Sequence, residues 1–104
     1  MQIVLIDMFV VPEESKSEFV EGTVKIQAFI RTLPGFVEGY IYDQSSGDNH
    51  YNFLTTAVWE NEEAFENAKK RVPAEHQNLG FNPQETRKRL KIDMVRSEYR
   101  RSPY

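Results

Sequence analysis

Residues Asn52–Ala68 read NFLTTAVWENEEAFENA, and this stretch decides the fold. It predicts a strand that ends on the only tryptophan, Trp59, a helix cap at Asn61, and a helix opening with Glu62 and Glu63. A strand that closes on a large aromatic and turns at once into a helix puts the indole at the rim of a sheet. Phe65, on the first helical turn, is placed to face it. Such a corner can wall a small-molecule pocket, because tryptophan offers wide apolar area and one N–H donor. It can equally be packing core, the commoner fate of an aromatic side chain.

Working outward, Gln2–Val11 predicts a first strand with Val4, Ile6, Met8 and Val10 on one face and Ile3, Leu5, Asp7, Phe9 and Val11 on the other. Both faces are apolar, so both should be buried. Pro12 ends it. Ser15-Lys16-Ser17-Glu18 has the form of a capping box, and the helix after it runs to about Thr32 with a stripe of Phe19, Thr23, Ile26, Ile30 and Leu33. Gly22 inside it marks a candidate point of close packing. Pro34-Gly35 stops the helix. Phe36–Gln44 predicts a second strand with Phe36, Tyr40 and Tyr42 on one face, and the turn Ser45–Asn49 makes a hairpin with Tyr51–Trp59. Pro73 should break or kink the helix from Glu62. A short helix over Gln84–Leu90 and a last strand over Lys91–Tyr99 close the chain.

The expected order is β-α-β-β-α-β, a ferredoxin-like α+β fold whose antiparallel four-stranded sheet carries helices on one face. One domain spans residues 1–104, with a core of about 2–100 and a tail at 101–104. Two helices cover one face only, while the first strand is apolar on both. A second copy is the economical cover, so a homodimer is expected.

Composition is that of an ordinary globular protein, with 28% charged residues and no cysteine, which excludes a disulfide framework, thiolate metal sites and a cysteine nucleophile. No stretch approaches the roughly 18 apolar residues of a membrane span. MQIVLIDMFVV lacks a basic n-region and carries Asp7, so it does not read as a signal peptide, and a cytoplasmic location is the expectation. Residues 1–82 hold 13 acidic and 6 basic side chains, and residues 83–104 hold 3 and 7. The basic segment with Arg87, Lys88, Arg89 and Lys91 lacks interleaved stacking aromatics. It reads as a solvated face or a contact with an acidic surface of a second subunit, not as a nucleic-acid footprint.

Leu33-Pro34-Gly35-Phe36, followed by Val58-Trp59-Glu60-Asn61-Glu62-Glu63-Ala64-Phe65, resembles the antibiotic biosynthesis monooxygenase family over nearly the whole chain. The resemblance implies a dimeric α+β barrel. It also implies oxidation of a small aromatic, phenolic or quinol compound with no metal, flavin or haem, the substrate's own anion reacting with dioxygen. The protein's part would be a dry cavity, a base or hydrogen-bond partner, and aromatic walls. Trp59 matches the family's pocket tryptophan. Phe65 stands where a tyrosine is found, Thr55 where an asparagine is found, and Leu79 near the place of a pocket arginine. A second branch of the superfamily opens haem, and its asparagine, tryptophan and histidine positions are here Asp7, Ala68 and Asn78.

The resulting candidate site is a cavity lined by Asp7, Phe9, Thr55, Trp59 and Phe65, with His76 at its edge. Asp7 shares a face with Ile3, Leu5 and Phe9, and burying a carboxylate is costly unless it is paired. It is either half of a structural salt bridge or a base facing the cavity. His76 is a surface or packing residue, or, if it reaches the cavity, the acceptor of a phenolic proton. Neither His76 nor His50 has metal-ligand spacing with acidic residues, so no metal site is expected. The alternative to an enzyme is a non-catalytic dimeric module that binds a small apolar ligand in the same pocket.

Overall fold

The computed structural model describes residues 1–104. The first strand, β1, runs Ile3–Val10, and after Pro12 a 3₁₀ turn over Glu13–Ser15 feeds α1, Lys16–Ile30. The capping box does not form: Ser15 is in the helical region and makes no cap bond. Its hydroxyl instead donates to the Leu90 carbonyl at 2.8 Å, and Glu18 pairs with Arg89. Both side chains are spent docking the start of α1 on the segment 75 residues further along the chain. Gly22 marks no close packing, since a methyl there would meet nothing within 4 Å.

The expected second strand is split into β2, Phe36–Glu38, and β3, Ile41–Asp43, both paired antiparallel with β4, Phe53–Trp59. The register shifts after Phe36, which is the signature of a β-bulge. Phe36 stands opposite Trp59 and Ile41 opposite Thr55, so these two share a face, while Tyr42 stands opposite Leu54 on the other. The simple alternation that grouped Phe36 with Tyr42 is therefore corrected by one inserted residue.

Helix α2, Glu62–Asn78, is capped by Asn61, whose side-chain oxygen accepts from the Ala64 N–H at 2.8 Å. It continues through Pro73 instead of breaking there. Helix α3, Pro83–Leu90, is capped likewise by Asn82 and ends at Lys91 in the left-handed region. The last strand, β5, is Asp93–Tyr99. Along the sheet the order is β2-β4-β1-β5, with β3 also on β4, and β1 is antiparallel to both neighbours. This is the ferredoxin-like arrangement with a broken second strand.

The two segments that carry the family resemblance form one corner. Glu60 N–H donates to the Gly35 carbonyl at 2.7 Å, and the Phe36 and Trp59 rings meet edge-on at 5.4 Å. Gly35 has φ +78°, and any side chain there would overlap the Ala64 methyl. A turn that needs positive φ and has no room for a Cβ requires glycine. Trp59 and Phe65 lie in the same buried cluster on the helix side.

The helices leave the other sheet face bare. Val4, Ile6 and Met8 of β1 alternate onto it with Leu54 of β4 and Val95 and Tyr99 of β5. Val95, Tyr99 and Tyr42 are exposed. No helix is long and apolar enough to cross a membrane.

Candidate functional site

On the helix-covered face the apolar core is interrupted. One cluster holds Ile30, Leu33, Ala57, Trp59, Phe65 and Ala68. The other holds Phe9, Val11, Phe19, Phe53 and Ile92, with Phe19 packed on Phe9 and Phe53 at 4.8 and 4.9 Å. Strand register places Asp7 opposite Thr55 on one side and Arg96 on the other, so these three form a polar row across β4, β1 and β5. The row sits between Leu5–Ala57 and Phe9–Phe53, the pairs that belong to the two clusters.

Asp7 and Thr55 are both buried. A buried carboxylate persists only if its charge is met, and Arg96 meets it: Nε donates to Oδ1 at 2.8 Å and Nη2 to Oδ2 at 2.9 Å. This is the bidentate fork that arginine geometry favours. The pair is lopsided, with the Asp7 side chain 10% exposed and the Arg96 side chain 56%. The bonds to Asp7 raise the Arg96 pKa, burial opposes them, and the charges of Asp7 and Glu98 add to the rise. Glu98 also acts on Lys69 of α2, whose pKa is raised chiefly by its bond to Glu66. A charged rim of Arg96, Glu98 and Lys69 therefore lies between β5 and α2.

Above this row, α1 contributes Gln27, itself buried. Its amide nitrogen donates to the Thr56 carbonyl at 3.3 Å, while its oxygen is buried with no partner. A methyl on Gly39 would sit 3.0 Å from that oxygen. Gln27 thus plugs the β2–β3 break, where Tyr40 N–H and Thr56 N–H are exchanged with each other's carbonyls.

The structure brings Asp7 and Thr55 together and puts aromatic walls on both sides of them. Trp59 and Phe65 stand in one cluster and Phe9 in the other, so the six candidates do not line one continuous wall. His76 lies near the C-terminal end of α2 with its ring 5.1 Å from Phe81. No hydrogen bond or ion pair joins it to Asp7. Burial lowers its pKa, with the Arg87 charge adding to the fall and Glu75 opposing it. Two of the open hollows measure about 230 and 220 Å³, and none of the six candidates lines either. The first lies on the bare face by the hairpin, among Met8, Tyr42, Tyr51 and Leu54. The second is lined by Ile3, Glu98, Tyr99 and Arg100, one step along β5 from Arg96.

Sequence reasoning missed Arg96 and Gln27. Both carried a signal: Arg96 alternates with Met94 on the side of β5 that faces the core, and Gln27 falls at helical spacing from Phe19, Thr23 and Ile30. Only the strand register could show that Arg96 lands on Asp7.

The family model for antibiotic biosynthesis monooxygenase matches residues 1–77, which takes in β1 to α2 and leaves α3 and β5 outside. No curated protein matches the sequence. Among solved structures, a proposed monooxygenase from Shewanella loihica PV-4 is similar at TM-score 0.73 and 19% identity, covering 99% of this chain and 96% of that one. SnoaB, a cofactor-independent oxygenase from Streptomyces nogalater, is similar at TM-score 0.66 and 19% identity, covering 99% and 95%. The heme-degrading protein Rv3592 from Mycobacterium tuberculosis is similar at TM-score 0.56 and 23% identity, covering 64% and 74%. At such identities these likenesses are of fold. With the corner of Gly35, Trp59 and Ala64 in place and the family match spanning most of the chain, this protein belongs to the antibiotic biosynthesis monooxygenase family.

Proposed function

We propose that this chain is a homodimeric oxygenase that oxidises a small aromatic, phenolic or quinol compound and relies on the substrate's own anion to react with dioxygen. The observation that carries this reading is the polar row of Asp7, Thr55 and Arg96 set between two aromatic clusters. An aromatic ring seated between those apolar walls would need polar partners for its hydroxyl at that depth. SnoaB, a cofactor-independent oxygenase, has the same fold, and the family supports monooxygenase chemistry.

The hydroxyl's proton needs an acceptor, and the candidates are Asp7 and His76. A lowered His76 pKa keeps the imidazole neutral, hence able to accept, around neutral pH. The homodimer belongs to the same reading. The bare face carries Val4, Ile6, Met8 and Leu54, with Thr56 and Ser97 flanking Ile6, and a second copy would cover it.

The test is oxygen consumption by the full chain with dihydroxyaromatics and quinols in metal-stripped, flavin-free buffer. Uptake that requires the compound is expected, and replacing the true base, by Asp7→Asn or His76→Ala, should lower turnover by about 10²–10⁴-fold. One observation favours a second reading, a non-catalytic binding module. Both Asp7 oxygens are already engaged by Arg96, and His76 does not touch them. Binding of several such compounds with no uptake would establish the module and end the enzyme reading.

A further inference from the structure

The geometry points to Arg96, not Asp7, as the residue that meets the ligand: its guanidinium receives an ionised oxygen of a phenol-type ligand, and Asp7 positions it from beneath. This rests on the proposed site between helices and sheet, and it holds whether the protein oxidises its ligand or only binds it.

Three observations carry it. Both Asp7 oxygens accept from Arg96, and the Asp7 side chain is nine-tenths buried, so little of the carboxylate is presented to a ligand. The Arg96 side chain is more than half exposed, and its two bonds to Asp7 use only part of its donor set. A guanidinium has five N–H donors, which leaves Nη1 and the outer edge free. Finally, a hollow of about 220 Å³ lies further along the strand, lined by Ile3, Glu98, Tyr99 and Arg100, and Glu98 follows Arg96 on the same face of β5.

The chemistry that suits such an edge is a single anionic oxygen on a planar ring. The fixed fork holds the guanidinium plane still, so the charge is in place before the ligand arrives. Stabilising a phenolate by a cation lowers the phenol's own pKa, which lets its proton leave with a weaker acceptor nearby. The charged groups facing Arg96 are Asp7 on β1 and Glu98 on its own strand, with Lys69 on α2 acting on Glu98 from across the mouth. Arg96 also lies beyond the residues that the family model matches.

The two roles predict opposite signs for one substitution. If Arg96 holds the anion, Asp7→Asn removes a competing negative charge and should leave para-nitrophenolate bound as tightly or more tightly. The apparent pKa of the bound phenol, read from phenolate absorbance on the full chain, should then stay below its free value. The double variant D7N/R96Q keeps a neutral polar pair and should weaken phenolate binding about ten- to a hundredfold, the loss of a charge-assisted hydrogen bond. Its bound phenol should titrate at the free value. Neutral para-nitroanisole should bind all variants alike. Arg96→Lys keeps the charge and should retain most of the phenolate preference, while the single variant R96Q should lose it, which decides the question if the double variant folds poorly.

If Asp7→Asn weakens binding of protonated para-nitrophenol, and D7N/R96Q costs the phenolate no more than D7N alone, the carboxylate is the ligand's partner and the assignment is overturned. If D7N/R96Q leaves phenolate affinity unchanged while para-nitroanisole still binds, Arg96 is structural only, and the site survives without it. If the wild type binds neither probe, the site itself is wrong and both readings fall. Oxygen uptake enters none of these outcomes, so loss of the oxygenase reading alone leaves this assignment standing.

Discussion

The two faces of the sheet differ in how their apolar residues are used. On the helix side, Trp59, Phe65, Phe9 and Phe53 are sealed beneath α1 and α2, and the one break in that seal is the row of Asp7, Thr55 and Arg96. On the opposite side, Val4, Ile6, Met8 and Leu54 are as apolar, yet no element covers them. A polar interruption inside a sealed core is where the proposed ligand would be met. The open side is apolar along β1, with Thr56 and Ser97 beside Ile6, and is where the proposed second copy would dock.

The largest effect should follow from giving the bare face a charge. Ile6 lies mid-strand on it, and Ile6→Lys would bury an unpaired ammonium in each copy of the dimer. The penalty is several kcal/mol per ion, enough to abolish an interface that should exceed about 1,600 Å². Sedimentation should find monomer in the variant and dimer in the wild type at micromolar concentration. A wild type that is monomeric and folded there would remove the dimer from the comparison.

On the sealed face, Trp59→Ala should cost about 3–5 kcal/mol, the range for deleting a large buried aromatic. Trp59 is 2% exposed and touches Phe36 across the β2–β4 pairing. The same truncation on the bare face, Tyr42→Ala, removes a half-exposed ring and should change protomer stability little. Denaturant midpoints compare the two at concentrations below dimerisation. Equal losses would show that the faces are not distinct in the way described.

Gly35→Ala is expected to fall between these. The left-handed backbone costs a side chain about 1–2 kcal/mol, and overlap with the Ala64 methyl adds a repacking cost of about 1–3 kcal/mol. The damage should show as a lower Tm, and also as loss of ligand binding, because Gly35 fixes the corner that holds Trp59. Ala64→Gly in the same chain should restore part of the stability. If it does not, strain in the turn accounts for the whole effect.

Much of this architecture was legible in the sequence, for a physical reason. Strand and helix periods, the Asn61 cap and the Pro34-Gly35 stop are local signals, and each acts within a few residues. The bare face followed from β1 being apolar on both sides. What the sequence hid was set by contacts distant along the chain. The β-bulge after Phe36 leaves the composition unchanged but reverses the facing of Ile41 and Tyr42. Ser15 had the pattern of a cap, but a carbonyl at Leu90 claimed its hydroxyl. Asp7 was visible as a buried carboxylate in need of a partner. That the partner is Arg96 depends on the β1–β5 register, a pairing of residues 89 positions apart.

The smallest predicted effect lies where the sealed side meets solvent, at His76. Burial, aided by the Arg87 charge and opposed by Glu75, lowers its pKa in the folded chain. An unfolded histidine titrates near about 6.5. Above that pH both states are neutral and the contribution of His76 to stability is fully present. As pH falls through the unfolded value, the unfolded chain takes up the proton first, so stability declines until the lower folded pKa is passed and then levels off. Half-exposure keeps the change small. His76→Asn should flatten this part of the profile, and the difference between wild-type and variant urea midpoints, followed from pH 7.5 down through about 6.5, isolates it from His50 and the carboxylates. Parallel profiles would mean that His76 is solvated in both states. It would then lie in solvent, outside a dry site where it could meet a ligand, and Asp7 would be left as the sole proposed acceptor.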